Sequence, residues 1–149
     1  MPKYSYPLLK YEFPDGSSEP FATHAYLPLK ISNPDTGKNL KIAGVVDTGA
    51  DACLFPAHIA EITGHNLKGD GVKSTITMGI EQNEVPVYKH TFLIELLSPP
   101  DYQKVIWSSG EILIDCTEAN PPVLLGTTDF LRHFKVSIDY PKEQLTAEW

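Results

Sequence analysis

Ile42-Ala43-Gly44-Val45-Val46-Asp47-Thr48-Gly49-Ala50-Asp51 is the stretch on which the reading of the chain turns. Val45 and Val46 are β-branched and fit the end of a covered strand. Asp47 is delivered at the edge of the core, where a charge is costly without partners. Thr48 adds a hydroxyl that both donates and accepts. Gly49 is expected to supply a backbone conformation closed to other residues and to let a ligand approach the main chain. A partly buried acid on a tight, glycine-bearing turn is suited to holding a carboxylate for chemistry. The bland alternative is a carboxylate satisfied by the amides of its own turn.

The same three letters occur twelve positions earlier as Asp35-Thr36-Gly37, within Ser32-Asn33-Pro34-Asp35-Thr36-Gly37-Lys38-Asn39. Polar neighbours and the placing of Pro34 and Gly37 make that copy a hairpin tip. Only Asp47 has the apolar approach.

Composition narrows the function classes. A chain of 149 residues suits a single domain, 1–149, with a real core. A net charge of −7, with Arg132 as the only arginine, leaves no basic stripe for nucleic acid. Cys53 and Cys116 lack CxxC spacing and read as free thiols in a reducing compartment, one disulfide being the alternative. No stretch reaches membrane-spanning length and the start has no apolar signal segment, so a cytoplasmic address is expected. His24, His58, His65, His90 and His133 are scattered without paired spacing, so neither metal nor cofactor is expected.

Thirteen prolines and ten glycines cut the chain into short pieces, which favours many strands over long helices. Residues 4–13 read as an edge strand, 14–18 as a turn, and 21–31 with 40–46 as a hairpin leading to Asp47. A strand at 53–55 precedes a short helix over 56–63, with Pro56 at its first position and Gly64 past its end. From 72 to 97 a second hairpin is expected, its inward phase changing near Tyr88. Residues 105–107 and 112–114 read as a further pair turning at Ser108-Ser109-Gly110. After Val123-Leu124-Leu125-Gly126, a short helix capped by Thr127 or Thr128 is predicted, then strands at 134–140 and 144–149. In that reading Asp129 is a polar helix residue and Cys53 a core thiol.

Taken together, Ala43–Asp51, the hairpin around Thr77–Asn83 and Val123-Leu124-Leu125-Gly126 resemble, in order and spacing, the retroviral-type (retropepsin-like) aspartic proteases. The resemblance covers roughly residues 41–140. It implies an all-β, retropepsin-like acid-protease barrel with one short C-terminal helix and a flap hairpin. It also implies catalytic roles for Asp47, Thr48 and Gly49, with Thr48 bonding across a dimer axis. Ala50, Asp51, Met78, Gly79, Ile80, Glu81, Pro122 and Leu124 would bind substrate. The viral-type arginine after the glycine is replaced by Thr127, which leaves an Asp51–Arg132 pair as the substitute. The terminal strands, 4–13 and 144–149, would build the sheet between subunits, with the loop at Ser98–Tyr102 as the alternative brace.

In such enzymes a water is activated between two carboxylates that share one proton. One suitable aspartate is present per chain. Asp115 follows an apolar run but lacks the turn glycine, and Asp35 is too close to Asp47 to belong to a second lobe. The expectation is therefore a homodimer in which Asp47 meets its own mate, cleaving extended peptides with apolar flanks. Two rivals remain: a non-catalytic peptide-binding or dimerisation module on the same fold, and an enzyme kept latent by a closed flap.

Overall fold

A computed structural model describes residues 1–11, 22–79 and 82–149. Twelve strands and one short α-helix appear among them, in the order β1 (Lys3–Pro7), β2 (Leu9–Tyr11), β3 (Ala22–His24), β4 (Tyr26–Ser32), β5 (Asn39–Val46), β6 (Leu54–Pro56), α1 (Ala57–Ile62), β7 (Ser74–Met78), β8 (Glu84–Leu97), β9 (Val105–Thr117), β10 (Leu124–Leu125), β11 (Lys135–Asp139) and β12 (Gln144–Glu148). The expected turn at 14–18 lies outside the described residues.

The main sheet runs β4-β5-β10-β6-β9-β8-β7, and β4 also pairs with β8, which closes the ring from β4 to β8 into a barrel. β7 hangs from β8 outside that ring. β4 turns Leu27, Leu29 and Ile31 inward and β8 turns Phe92, Ile94 and Leu96 to meet them, all fully buried. This is the period-two pattern of a sheet with one covered face. Along β8 the buried positions shift from Val87 to His90, so the phase change expected near Tyr88 is present. Gly44 is required by packing, because a Cβ there would stand 2.8 Å from Leu29 Cδ1 and 3.0 Å from Leu125 Cδ1. The glycine lets the two leucines close beneath β5, just before Asp47.

Pro56 is the N-cap of the α-helix rather than its first residue, and the helix ends before Gly64, whose φ of +92° only glycine adopts at no cost. The Asn33–Asn39 tip docks on this helix end: Asn33 Nδ2 (3.0 Å) and Thr36 Oγ1 (2.7 Å) both donate to the Thr63 carbonyl.

Four other local expectations change. The strand expected over 4–13 is split at Leu8 into β1 and β2 of different sheets, and that over 21–31 at Ala25 into β3, paired with β2, and β4 of the barrel. Ser108-Ser109-Gly110 is no hairpin turn; it lies inside the thirteen-residue β9. The register with β8 passes from Leu93↔Glu111 to Glu95↔Ser108, so one extra residue sits in β9 as a bulge, with Gly110 at φ +68°. Ser109 Oγ fills the gap by accepting the Ile94 N–H at 2.9 Å. The expected helix after Gly126 is a turn followed by a single 3-10 turn at Leu131–His133. After one i→i−4 bond, Phe130 N–H to the Gly126 carbonyl, the amides of Leu131 and Arg132 reach five residues back and those of His133 and Phe134 three back, so no α-helical ladder propagates.

A separate three-stranded sheet has the order β1-β12-β11. Its inner face carries Tyr4, Tyr6, Leu145, Ala147, Val136 and Ile138; its outer face aligns Ser5, Thr146 and Ser137 across the strands. Tyr4 stacks on Trp149 (5.6 Å), Trp149 meets Phe134 (5.4 Å), and Phe134 meets Trp107 of β9 (4.7 Å). Tyr6 is buried and its hydroxyl donates to the Leu97 carbonyl at 2.9 Å; burial raises its pKa. β12 has a neighbour from its own chain on each edge.

Candidate active site

Asp47 is placed by backbone on both sides of the strand it leaves. Val45 N–H donates to Val123 O (2.8 Å), Val46 N–H to Ala25 O (2.9 Å) and Asp47 N–H to Leu125 O (3.2 Å). β10 thus lies between β5, which it meets in parallel, and β6, which it meets antiparallel. The loop from Asp47 to Cys53 bridges two strands that never pair with each other.

Within the loop, the Gly49 N–H donates to Asp47 Oδ1 at 3.0 Å, and the Ala50 N–H returns to the Asp47 carbonyl at 3.2 Å. Asp47 is half-buried, while Thr48 and Gly49 are exposed. No described lysine, arginine or histidine forms an ion pair with Asp47. Gly49 differs from its expected role, since it is not among the glycines with positive φ. Its value is space: a Cβ would sit 3.3 Å from Asp47 Oδ1.

The far half of the loop is held by the residues after β10. Thr127 N–H (2.9 Å) and Thr127 Oγ1 (3.3 Å) donate to the Ala50 carbonyl, and Thr128 N–H donates to the Asp51 carbonyl at 2.7 Å. Gly126 N–H donates to Cys53 Sγ (3.3 Å), and Cys53 N–H donates to Asp129 Oδ2 (2.9 Å). The two segments cross in backbone contact, for a Cβ on Gly126 would lie 2.3 Å from the Ala52 carbonyl carbon. Only glycine fits there.

Asp115, Asp35 and both thiols are placed differently. Asp115 pairs with Lys89 at 2.7 Å, and Asp35 sits in the hairpin tip. Cys53 is 1 % exposed and its thiol is pushed up to about 12, chiefly by burial, so it is not a nucleophile. Cys116, also buried, is raised to about 12 in the same way. Both cysteines are free. Among the described residues no cluster of three or more His, Cys, Asp or Glu could hold a metal ion.

Of the expected substrate-binding residues, Ala50 and Asp51 lie in the loop and are tied to Thr127 and Thr128. Leu124 is half-buried, in register with Val45 on one side and Leu54 on the other; Pro122 is exposed just before it. Met78 and Gly79 stand on the separate β7–β8 hairpin, closed by Gly79 N–H to Asn83 O at 2.8 Å. Met78 is 61 % exposed and Ile76, on the same strand, 54 %. Ile80 and Glu81 lie outside the described residues. The Asp51–Arg132 pair does not form, and Arg132 is exposed. Two grooves, of about 80 and about 340 Å³, share Pro28, Ala43 and Tyr102, and neither is lined by Asp47.

Sequence reading missed Asp129. Its carboxylate reaches an amide 76 positions away, and no local pattern announces that contact.

A closed barrel with β10 slotted between two consecutive strands, and an Asp-Thr-Gly turn leaving the first of them, defines the retropepsin-like aspartic-protease fold. No family model and no curated protein matches the sequence. Among solved structures, a retropepsin-like aspartic protease from Rickettsia conorii is similar over 98% of both chains, with 20% identity and a TM-score of 0.56. The EIAV protease, in complex with an inhibitor, is similar over 69% of this chain and 81% of its own, with 13% identity and a TM-score of 0.46. The chain has the retropepsin-like fold.

Proposed function

We propose that residues 1–149 are one aspartic endopeptidase domain that works as a homodimer, each copy supplying one Asp47. The observation that carries this reading is the state of the acids. Asp47 stands half-buried on a turn, its carboxylate met only by an amide of its own loop, whereas Asp115 is ion-paired with Lys89 and Asp129 is tied to the amide of Cys53 on another segment. A second carboxylate for the same centre then comes from a second copy. Two carboxylates at close range share one proton; one takes a proton from the attacking water and the other donates to the substrate carbonyl. Activity is expected from acidic to neutral pH, where that shared proton is present.

Around the pair, Thr48 would brace the two loops and Gly49 would offer backbone to the peptide. Ala50, Asp51, Pro122 and Leu124 would line the cleft, and the 74–88 hairpin would act as the flap. The exposed Ile76 and Met78 support that last role, since a lid over a peptide carries apolar surface that is covered only when it closes. No helix of the described residues is long and apolar enough to cross a membrane. Free, buried thiols favour the cytoplasm.

A statine-type transition-state mimic tests the reading directly, because tight binding of such a compound reports paired carboxylates. Binding with one inhibitor per two chains is expected, together with dimers in sedimentation. A chain that stays monomeric at every concentration and ignores the inhibitor would leave a peptide-binding module in its place.

A further inference from the structure

We propose that Asp129 is a positioning residue for the loop that carries Asp47, acting through the Cys53 amide; this rests on the hydrolase reading above. The loop has two ends. At the first, Val45, Val46 and Asp47 are fixed by ordinary strand hydrogen bonds. At the second, where the chain must enter β6, Cys53 N–H points away from any strand partner and donates to Asp129 Oδ2 at 2.9 Å. Cys53 is 1 % exposed, so no bulk water can replace that acceptor. Bonding of an amide to a carboxylate is charge-assisted and directional. No described cation pairs with Asp129, which leaves this amide as its described partner.

The contact is also reciprocal. Gly126 N–H donates to Cys53 Sγ while Cys53 N–H donates to Asp129, three residues further on. Between these two bonds the backbones of Gly126 and Ala52 touch with no room for a methyl group. Loss of the Asp129 acceptor therefore cannot be absorbed by sliding one segment over the other. The slack goes into residues 47–53, whose internal ties are a single side-chain bond and a turn bond and whose remaining anchors are the Thr127 and Thr128 bonds to Ala50 and Asp51. In a twofold centre any tilt of the loop is doubled, since both copies shift about the same axis.

The experiment compares the full chain as wild type, Asp129→Ala, Asp129→Asn and, as a destabilised control far along the hairpin, Ile31→Ala. Asparagine keeps an acceptor oxygen for the Cys53 amide; alanine does not. In Asp129→Ala, amide hydrogen exchange should speed up at Asp47, Gly49, Ala50 and Cys53 beyond the global change; Asp129→Asn and Ile31→Ala should not show this. In peptide cleavage, Asp129→Ala should lower kcat by roughly tenfold to a hundredfold with KM little changed, the signature of misplacement, and Asp129→Asn should restore most of it. Exchange that rises evenly over the whole chain, or an asparagine variant as impaired as alanine, would overturn the assignment. A wild type that cleaves nothing would instead sink the hydrolase reading, and the exchange comparison would still decide whether Asp129 holds the loop.

Discussion

Asp35-Thr36-Gly37 and Asp47-Thr48-Gly49 spell the same words and do opposite things with them. In the first, the threonine hydroxyl is spent on the Thr63 carbonyl (2.7 Å), the Asp35 amide on Asn33 Oδ1 (2.9 Å), and the glycine takes a left-handed φ of +73°. The threonine hydroxyl there fastens the hairpin tip to the end of α1, while the Asp35 carboxylate stays exposed. In the second, the threonine is exposed, the glycine is needed for room beside a carboxylate, and the acid keeps a half-open face. The same letters differ in how they are anchored: the tip is fastened by a side chain of its own triplet, the Asp47 turn by the strands on either side of it. The supporting strands do the fastening, which frees the side chains for something else.

The sharpest way to break this contrast is to neutralise each acid in turn. Asp47→Asn should lower peptide cleavage on the order of 10³-fold with fold and dimer intact, whereas Asp35→Asn should leave the rate within about twofold. Equal losses would show that the two triplets are not different in kind. The glycines come next. Gly126→Ala forces a methyl into the Ala52 backbone and should cost about 3 kcal/mol or more in urea unfolding, if the variant folds at all. Gly37→Ala has open space around it and pays only for its φ, about 1 kcal/mol.

The threonines sharpen the contrast further. Thr36→Val removes a bond to a buried carbonyl and should cost about 1 kcal/mol of stability without touching dimer formation. Thr48→Val should do the reverse, leaving the unfolding midpoint in place and weakening the dimer about tenfold by sedimentation.

Acid gives the smallest effect and falls on the tip's side of the molecule. Beyond Thr63, the chain is clasped to β8 by two histidines: His65 Nε2 bonds the Thr91 carbonyl at 2.8 Å and His90 Nε2 bonds the Leu67 carbonyl at 3.0 Å. Their rings lie 4.6 Å apart. Burial first, and then the neighbouring His65, hold His90 below its ordinary value of 6.5, against the opposing pull of the Leu67 carbonyl. On acidification the unfolded chain therefore takes up the proton first. The contribution of His90 is complete above 6.5 and is lost as the pH falls below it towards the folded value. Urea midpoints measured between pH 7 and pH 5 should fall, and His90→Gln should flatten that slope. A slope unchanged by the substitution would remove the clasp from the account.

How much of this could be read in advance depends on how local the cause is. The tip was readable because Pro34 and Gly37 act within four residues, and β8 because alternation survives even a change of phase. The bulge at Gly110 was misread as a turn because a glycine with positive φ serves both, and only the partner strand tells them apart. The helix expected after Gly126 had the right apolar spacing, but past Phe130 the backbone bonds reach five and then three residues back, so no α-helical ladder propagates. Asp47 itself was visible through its apolar approach. Asp129 was not, since its importance exists only once two distant segments cross.

β12 has a consequence for what can dock beside it. It is already zipped to β1 and β11, so a short synthetic copy of the last residues finds no vacant slot beside it. Compounds of that kind would have to evict a native strand first, and an incoming chain can only add to the outer rims of the three-stranded layer.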